Sequence, residues 1–153
     1  MAMAAGTEPL IRPLRPDERV VWEPLWQGYL AFYETELSAA TTDATWKRVH
    51  DPAEPMFALG AFLGGQLVGI VHYLFHRSGW SISDSCYLQD LFVVPAARGH
   101  GIGRALIEVV AERARAAGSE RLYWHTHETN RTAQALYDKV ATLSGFIQYR
   151  KAL

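Results

Sequence analysis

Along the chain the spacing of apolar residues switches between an extended and a helical rhythm, and the switches define the elements. Leu10-Ile11-Arg12-Pro13-Leu14 has the character of a short strand, and its proline, which cannot donate to a sheet ladder, predicts an edge or terminal position. Pro16-Asp17-Glu18 supplies an acidic, proline-led helix start, after which Val20, Val21, Leu25, Trp26, Tyr29, Leu30 and Tyr33 recur at helical spacing. Pro24 is expected to split or kink that helix. A second helix is predicted over 42–49, behind the capping sequence Thr41-Thr42-Asp43. From Phe57 the period becomes two. Residues 57–63 and 66–75 read as the arms of a β-hairpin, with Gly64-Gly65 supplying the positive φ angles of a short turn. A strand over 85–94 follows and delivers the chain into a glycine-rich turn. The helix opening at Gly101 buries Ile102, Leu106, Val109, Val110 and Ala114, and Gly118 stands where a helix-ending glycine belongs. A strand at 122–126, an amphipathic helix over 130–142 through Ala133, Leu136, Tyr137 and Val140, and a last strand at 146–150 complete the order β-αα-βββ-α-β-α-β. That order predicts an α/β domain over 10–153, built on a mixed central sheet with helices on both faces, behind a loose tail over 1–9.

Bulk properties narrow the class. A length of 153 residues suits one domain with a substantial core, and 49% hydrophobic with 20% charged residues is the composition of an ordinary globule. A net charge of −1 argues against a protein that coats nucleic acid, so no nucleic-acid partner is expected. The opening Met1-Ala2-Met3-Ala4-Ala5-Gly6 lacks a basic region and an apolar core, so no signal peptide is expected. The apolar run over 67–75 is too short to span a bilayer, and no membrane association is expected. One cysteine, Cys86, leaves no internal disulfide to form and suits a reducing cytoplasm; it reads as packing rather than nucleophile.

The candidate chemistry begins in Arg98-Gly99-His100-Gly101-Ile102-Gly103-Arg104, read as strand, tight turn and helix. Glycines at alternate positions leave room for a ligand and permit unusual backbone angles, so several amides can face one concavity at a helix start, a site for a phosphate or diphosphate. Gly103 is followed by Arg104-Ala105, not Lys-Ser/Thr, which argues against a nucleoside triphosphate site, and the G-x-G-x-G spacing misses the dinucleotide fingerprint. Arg98, Gly101 and Gly103 instead match the R/Q-x-x-G-x-G/A signature, so that the stretch resembles the GCN5-related N-acetyltransferase (GNAT) family. A second motif, Asn130-x-x-Ala133-x-x-Leu136-Tyr137, follows in the family's order, and the likeness covers the chain from Leu10 onward. Tyr87-Leu88-Gln89-Asp90-Leu91-Phe92-Val93 and, more weakly, Ala31-Phe32-Tyr33-Glu34 are most similar to the diamine and thialysine acetyltransferases, with Tyr123-Trp124 and Leu136-Tyr137 shared with the yeast-type Hpa acetyltransferases.

The resemblance implies a GNAT-type fold and acetyl-CoA as co-substrate, its diphosphate held by residues 98–104, with Asn130 and Ala133 in the second coenzyme motif and Tyr137 protonating the departing thiolate. A phenol carries its proton at neutral pH and suits that role; alone, Tyr137 would read as packing on an amphipathic helix. Amine attack on a thioester generates an oxyanion, and a backbone N–H among Leu91, Phe92 and Val93 can meet it if a bulge or splay leaves that strand unpaired; Val93 is the first choice, and the same edge can pair with the pantetheine arm. Similar families carry glutamate where this chain has Gln89, which cannot hold a proton. Candidate bases are therefore His125, then Asp90, then Glu128, and strict alternation would set Asp90 on the face opposite Gln89. Tyr33, Glu34, Tyr87 and Gln89 are expected at the acceptor amine. His72 with His76, and His125 with His127, share strand faces but lack completing ligands, so no metal is expected. The function expected is direct transfer of acetyl from acetyl-CoA to a small primary amine. The alternatives are a protein lysine or N-terminal acetyltransferase and a non-catalytic acyl-CoA-binding module, and the family suggests a homodimer.

Overall fold

The computed structural model describes residues 8–153, so all but Glu8 and Pro9 of the tail expected over 1–9 lies outside the described residues. The chain runs β1 (Leu10–Pro13), a single 3-10 turn at Pro16–Glu18, α1 (Arg19–Phe32), α2 (Ala39–Arg48), β2 (Met56–Leu63), β3 (Gln66–His76), β4 (Ser85–Val93), α3 (Ile102–Ala116), β5 (Leu122–Tyr123) and α4 (Arg131–Val140). The five strands stand in chain order in one sheet, antiparallel from β1 to β4, with β5 parallel to β4. The hairpin turn takes φ of 55° and 80° at Gly64 and Gly65, as the two-residue loop requires.

Each face of the sheet carries its own core. Leu59, Val71, Tyr73, Leu88, Ile102, Leu106 and Val110 pack under α3, with Leu136, Tyr137 and Val140 of α4 partly buried against them. On the opposite face Trp22, Leu25, Trp26 and Leu30 of α1 and Trp46 of α2 cover Ala58, Phe62, Ile70 and Phe92. Trp22 is the hub there, stacked on Trp26 at 5.8 Å and tilted against Trp46 at 4.7 Å.

Three expectations are corrected. α1 runs through Pro24 as one helix, because the only bond that proline forfeits is to the carbonyl of Val20, a residue 79% exposed and open to water. α2 starts a turn early: Ser38, already extended, accepts from the Thr41 amide at 3.1 Å, which leaves Thr42 free to turn inward and be buried. The strand expected over 146–150 does not form. A strand needs a partner edge, and β5 holds only two residues, so Phe146, Ile147 and Tyr149 stay exposed.

The entry to α1 is clamped to β1 by a bidentate pair, Arg12 Nη1 to Glu18 Oε1 at 2.7 Å and Nη2 to Oε2 at 2.9 Å, while Glu18 Oε1 also accepts the Arg15 amide at 2.8 Å. The Arg12 hydrogen bonds are the main cause that holds the Glu18 carboxyl down at about 2. Its folded pKa lies below the unfolded value of about 4.3, so the stabilisation is complete above that pH and is lost as pH falls toward 2. Glu18→Gln is expected to cost on the order of 1–2 kcal/mol at neutral pH, screening included, and to converge on the parent only below about pH 2. Urea unfolding at both pH values checks it.

Candidate active site

The site begins where β4 parts from β5. β5 pairs with β4 at Cys86 and Tyr87 alone. On the other side the register slips between His72↔Asp90 and Tyr73↔Leu88, leaving Gln89 as the extra residue of a bulge. Alternation is therefore interrupted: Leu88 and Leu91, three apart, both pack toward α3, and Asp90 joins Phe92 on the α1 side. The expectation that Gln89 and Asp90 oppose each other by strict alternation is overturned by that inserted residue. Beyond the bulge, the Val94 amide donates to Val68 at 2.9 Å, so the Leu91 and Val93 amides point the other way, where β5 has ended. The Val93 carbonyl on that edge accepts Arg98 Nε at 2.9 Å, and the guanidinium also lies near the rings of Phe32 and Phe92. The Val93 N–H is left without a strand to bond.

The chain then turns into α3. Gly99 and Gly101 take φ of 81° and 77°, and a Cβ at either would meet nothing within 4 Å, so these glycines serve the turn and open its concave side. Gly101 caps α3 and has no side chain to satisfy the amides of Ile102, Gly103 and Arg104, which precede the first intrahelical bond, Ala105 N–H to Gly101 O at 3.0 Å. Three free donors at a helix start, with Arg98, His100 and Arg104 exposed around them, fit a diphosphate. Gly103 differs from its neighbours. It is helical, and a Cβ there would make only an ordinary contact, with Leu136 at 3.8 Å.

α4 supplies the opposite wall. Asn130 caps it, its Oδ1 accepting the Ala133 amide at 3.3 Å, which leaves its side-chain NH₂ outside the helix bond. Tyr137 packs edge-on against Trp124 at 5.4 Å, and no hydrogen bond engages its hydroxyl among the described residues. Burial, and then the neighbouring Tyr33, push its pKa up, so the phenol is protonated at neutral pH. Burial first, and then the Asp90 charge, raises the pKa values of Tyr29 in α1, of Tyr33 at its C-cap and of Tyr87 in β4. Glu34, just past α1, sits exposed at φ 52°. His125 meets the Tyr87 hydroxyl through Nδ1 at 3.0 Å, on the side of Tyr87 that stacks with Tyr123.

One functional-looking residue was hidden in the sequence. His72, weighed there only as half of a metal pair, is 1% exposed and bonded to Asp90 through Nδ1 and to Trp22 through Nε2, each at 3.0 Å. The detectable signal is a polar residue on the inward phase of an apolar strand, Ile70-Val71-His72-Tyr73-Leu74. Among the described residues no group of three His, Cys, Asp or Glu could hold a metal.

The sequence model of the Acetyltransferase (GNAT) family matches residues 21–141. The D-amino-acid N-acetyltransferase HPA3 of Saccharomyces cerevisiae is 33% identical over 144 residues, covering 93% of this chain and 89% of the relative. A thialysine N-epsilon-acetyltransferase of Caenorhabditis elegans is 31% identical over 72% of this chain and 69% of its own. Among solved structures, AAC(6')-Iy with a bisubstrate analogue superposes at a TM-score of 0.82, with 18% identity over 96% of this chain and all of that one. The ribosomal-protein-alanine N-acetyltransferase of Brucella melitensis reaches 0.79, with 21% identity over 95% of this chain and 99% of that one. The chain belongs to the GNAT family of acetyltransferases. It is an N-acetyltransferase with acetyl-CoA as co-substrate.

The two kinds of glycine in the loop separate by substitution. Gly101→Ala forces a side chain into a left-handed backbone and is expected to cost about 1–2 kcal/mol and weaken acetyl-CoA binding, whereas Gly103→Ala is expected to be neutral or stabilising by up to about 1 kcal/mol. Calorimetric titration with acetyl-CoA and thermal unfolding of both variants measure it.

Proposed function

We propose that the protein acetylates a small-molecule primary amine by direct transfer within a ternary complex. The observation that carries this reading is a carboxylate, Asp90, bonded to His72 at 3.0 Å on the side covered by the aromatic run Trp26, Tyr29 and Tyr33, whose successive rings lie 5.3 and 5.1 Å apart, with the Asp90 charge raising the pKa values of Tyr29, Tyr33 and Tyr87. Such a lining suits a compact cation of modest size. The names of two relatives agree, since a D-amino acid and thialysine are both small amines.

Acetyl-CoA brings the activated thioester; the rest falls to this chain. The amides of Ile102, Gly103 and Arg104, with Arg98, Gly99, His100 and Gly101 around them, take the diphosphate, and the outward amides of Leu91 and Val93, on either side of Phe92, pair with the pantetheine arm. Asn130 and Ala133 line the coenzyme from α4. The Val93 N–H donates to the carbonyl oxygen as that oxygen gains charge. His125, through the Tyr87 hydroxyl it is bonded to, receives the proton the acceptor amine must lose, and Tyr137 gives its own to the departing sulfur. Glu34 and Gln89 stand at the acceptor entrance. A covalent route through the one thiol is disfavoured, since Cys86 is fully buried and burial pushes it up to about 11. We place the protein in the cytoplasm, where acetyl-CoA and a reduced Cys86 coexist, as a homodimer that covers the exposed Leu143, Phe146, Ile147 and Tyr149.

Release of free CoA over a panel of D-amino acids, thialysine, spermidine and basic peptides tests the reading. Small amines should turn over with kcat/KM at least about tenfold above any peptide, and turnover of peptides alone would overturn it. Tyr137→Phe is expected to lower kcat roughly 10- to 1,000-fold while KM for acetyl-CoA stays within about twofold; an unchanged kcat removes the acid role. Amide exchange should slow at Leu91 and Val93 when acetyl-CoA binds, and unaltered exchange there removes the edge-pairing assignment.

A further inference from the structure

His72 is enclosed on every side. Its ring lies 5.9 Å from Trp22 and 5.1 Å from Trp26, which are themselves stacked, so rotation about its side chain is blocked by packing. An indole N–H only donates. The 3.0 Å contact from Trp22 Nε1 therefore requires a bare lone pair on His72 Nε2, and the ring's one proton must sit on Nδ1. That proton points at Asp90 Oδ2, 3.0 Å away, so the imidazole is neutral and donates to the carboxylate. His72 and Asp90 are also direct cross-strand partners, at the last register position before the bulge. Asp90 is thus fixed from behind, while Tyr29, Tyr33 and Tyr87 feel its charge from the front. Burial first, and then the Asp90 charge, drives the Tyr29 pKa far up, so that phenol keeps its proton.

We propose that His72, its tautomer set by Trp22, is the positioning residue for Asp90, and that Asp90 so held is the anchor for the acceptor's ammonium group. The proposal rests on the small-amine reading above and assigns that reading's cation contact. The imidazole stays out of the reaction; it keeps one carboxylate oxygen occupied and the carboxylate plane fixed, so that an incoming N–H₃⁺ meets a preorganised acceptor inside an aromatic wall. A mobile carboxylate would have to be ordered at each encounter.

Two kinds of measurement test this. Long-range ¹H–¹⁵N spectra of the whole protein should show the His72 ring protonated on Nδ1 and bare on Nε2, and a proton on Nε2 overturns the tautomer assignment. In kinetics, Asp90→Asn is expected to raise KM for the amine roughly 10- to 100-fold, well beyond its effect on kcat, with KM for acetyl-CoA within about twofold. His72→Phe should shift the same constants in the same direction, and His72→Asn, whose amide can donate from the place of Nδ1, should recover part of the loss. The double variant His72→Phe with Asp90→Asn should be no worse than Asp90→Asn alone. Amine KM unmoved in Asp90→Asn, additive losses in the double variant, or equal losses for both substrates would overturn the proposal. If His72→Phe does not fold, the Asp90→Asn constants and the spectra still decide it. If no amine in the panel turns over, the proposed function fails by itself. Binding of n-butylamine, followed at the Asp90 amide in parent and Asp90→Asn protein, then judges the anchor separately: tighter binding to the parent supports it and equal binding overturns it.

Discussion

Backbone amides in a sheet are normally consumed by the neighbouring strand, and this site exists because that consumption stops at Tyr87. β5 follows β4 for only two residues, and beyond the bulge at Gln89 the rest of β4 is paired with β3 alone. An edge left bare in the middle of a chain invites aggregation unless something covers it. Here one outward carbonyl, that of Val93, is closed by Arg98. The same parting places the start of α3 directly beyond the strand, so backbone donors from two elements face the same side. Acetyl transfer as proposed here is in that sense a use of main-chain hydrogen bonds the sheet does not make for itself.

Charge is then distributed along the cleft at short range, since the chain as a whole carries almost none. Helix-start amides, Arg98 and Arg104 make one end positive, which suits a diphosphate. Asp90 makes the other negative, within a wall of tyrosines that burial keeps protonated. Tyr137 is also protonated and without a hydrogen-bond partner on its hydroxyl among the described residues. In the proposed mechanism a neutral proton donor of this kind is well matched to transfer between a polyanionic coenzyme and a cationic amine.

Local features were legible in the sequence because local chemistry causes them. The Gly64-Gly65 hairpin and α3 with its closing Gly118 each follow from residues a few positions apart. The family motifs were legible for the same reason, being short runs at fixed spacing. The misses are of another kind. Ser38 caps α2 because Thr42 is needed inside, and residues 146–150 stay out of the sheet because β5 is too short to receive them. Neither fact is written near the residues it governs. The Trp22–His72–Asp90 chain joins α1, β3 and β4 across separations of 50 and 18 residues, so no window-based pattern contains it.

The bulge also changes what the substitution at Gln89 means. On a regular strand Gln89 and Asp90 would face opposite ways, and losing a glutamate would empty one side of the strand of charge. With Gln89 as the inserted residue, exposed at the margin, the change removes a carboxylate from the rim and leaves Asp90 as the acidic side chain of β4 that meets the tyrosines. Two neighbouring carboxylates would favour a polycation, since each additional ammonium finds an additional partner. One carboxylate, fixed by an uncharged imidazole, offers a single strong contact and no second one. If Asp90 anchors the acceptor as proposed, the cleft selects by count as well as by sign, and an acceptor with one ammonium satisfies it.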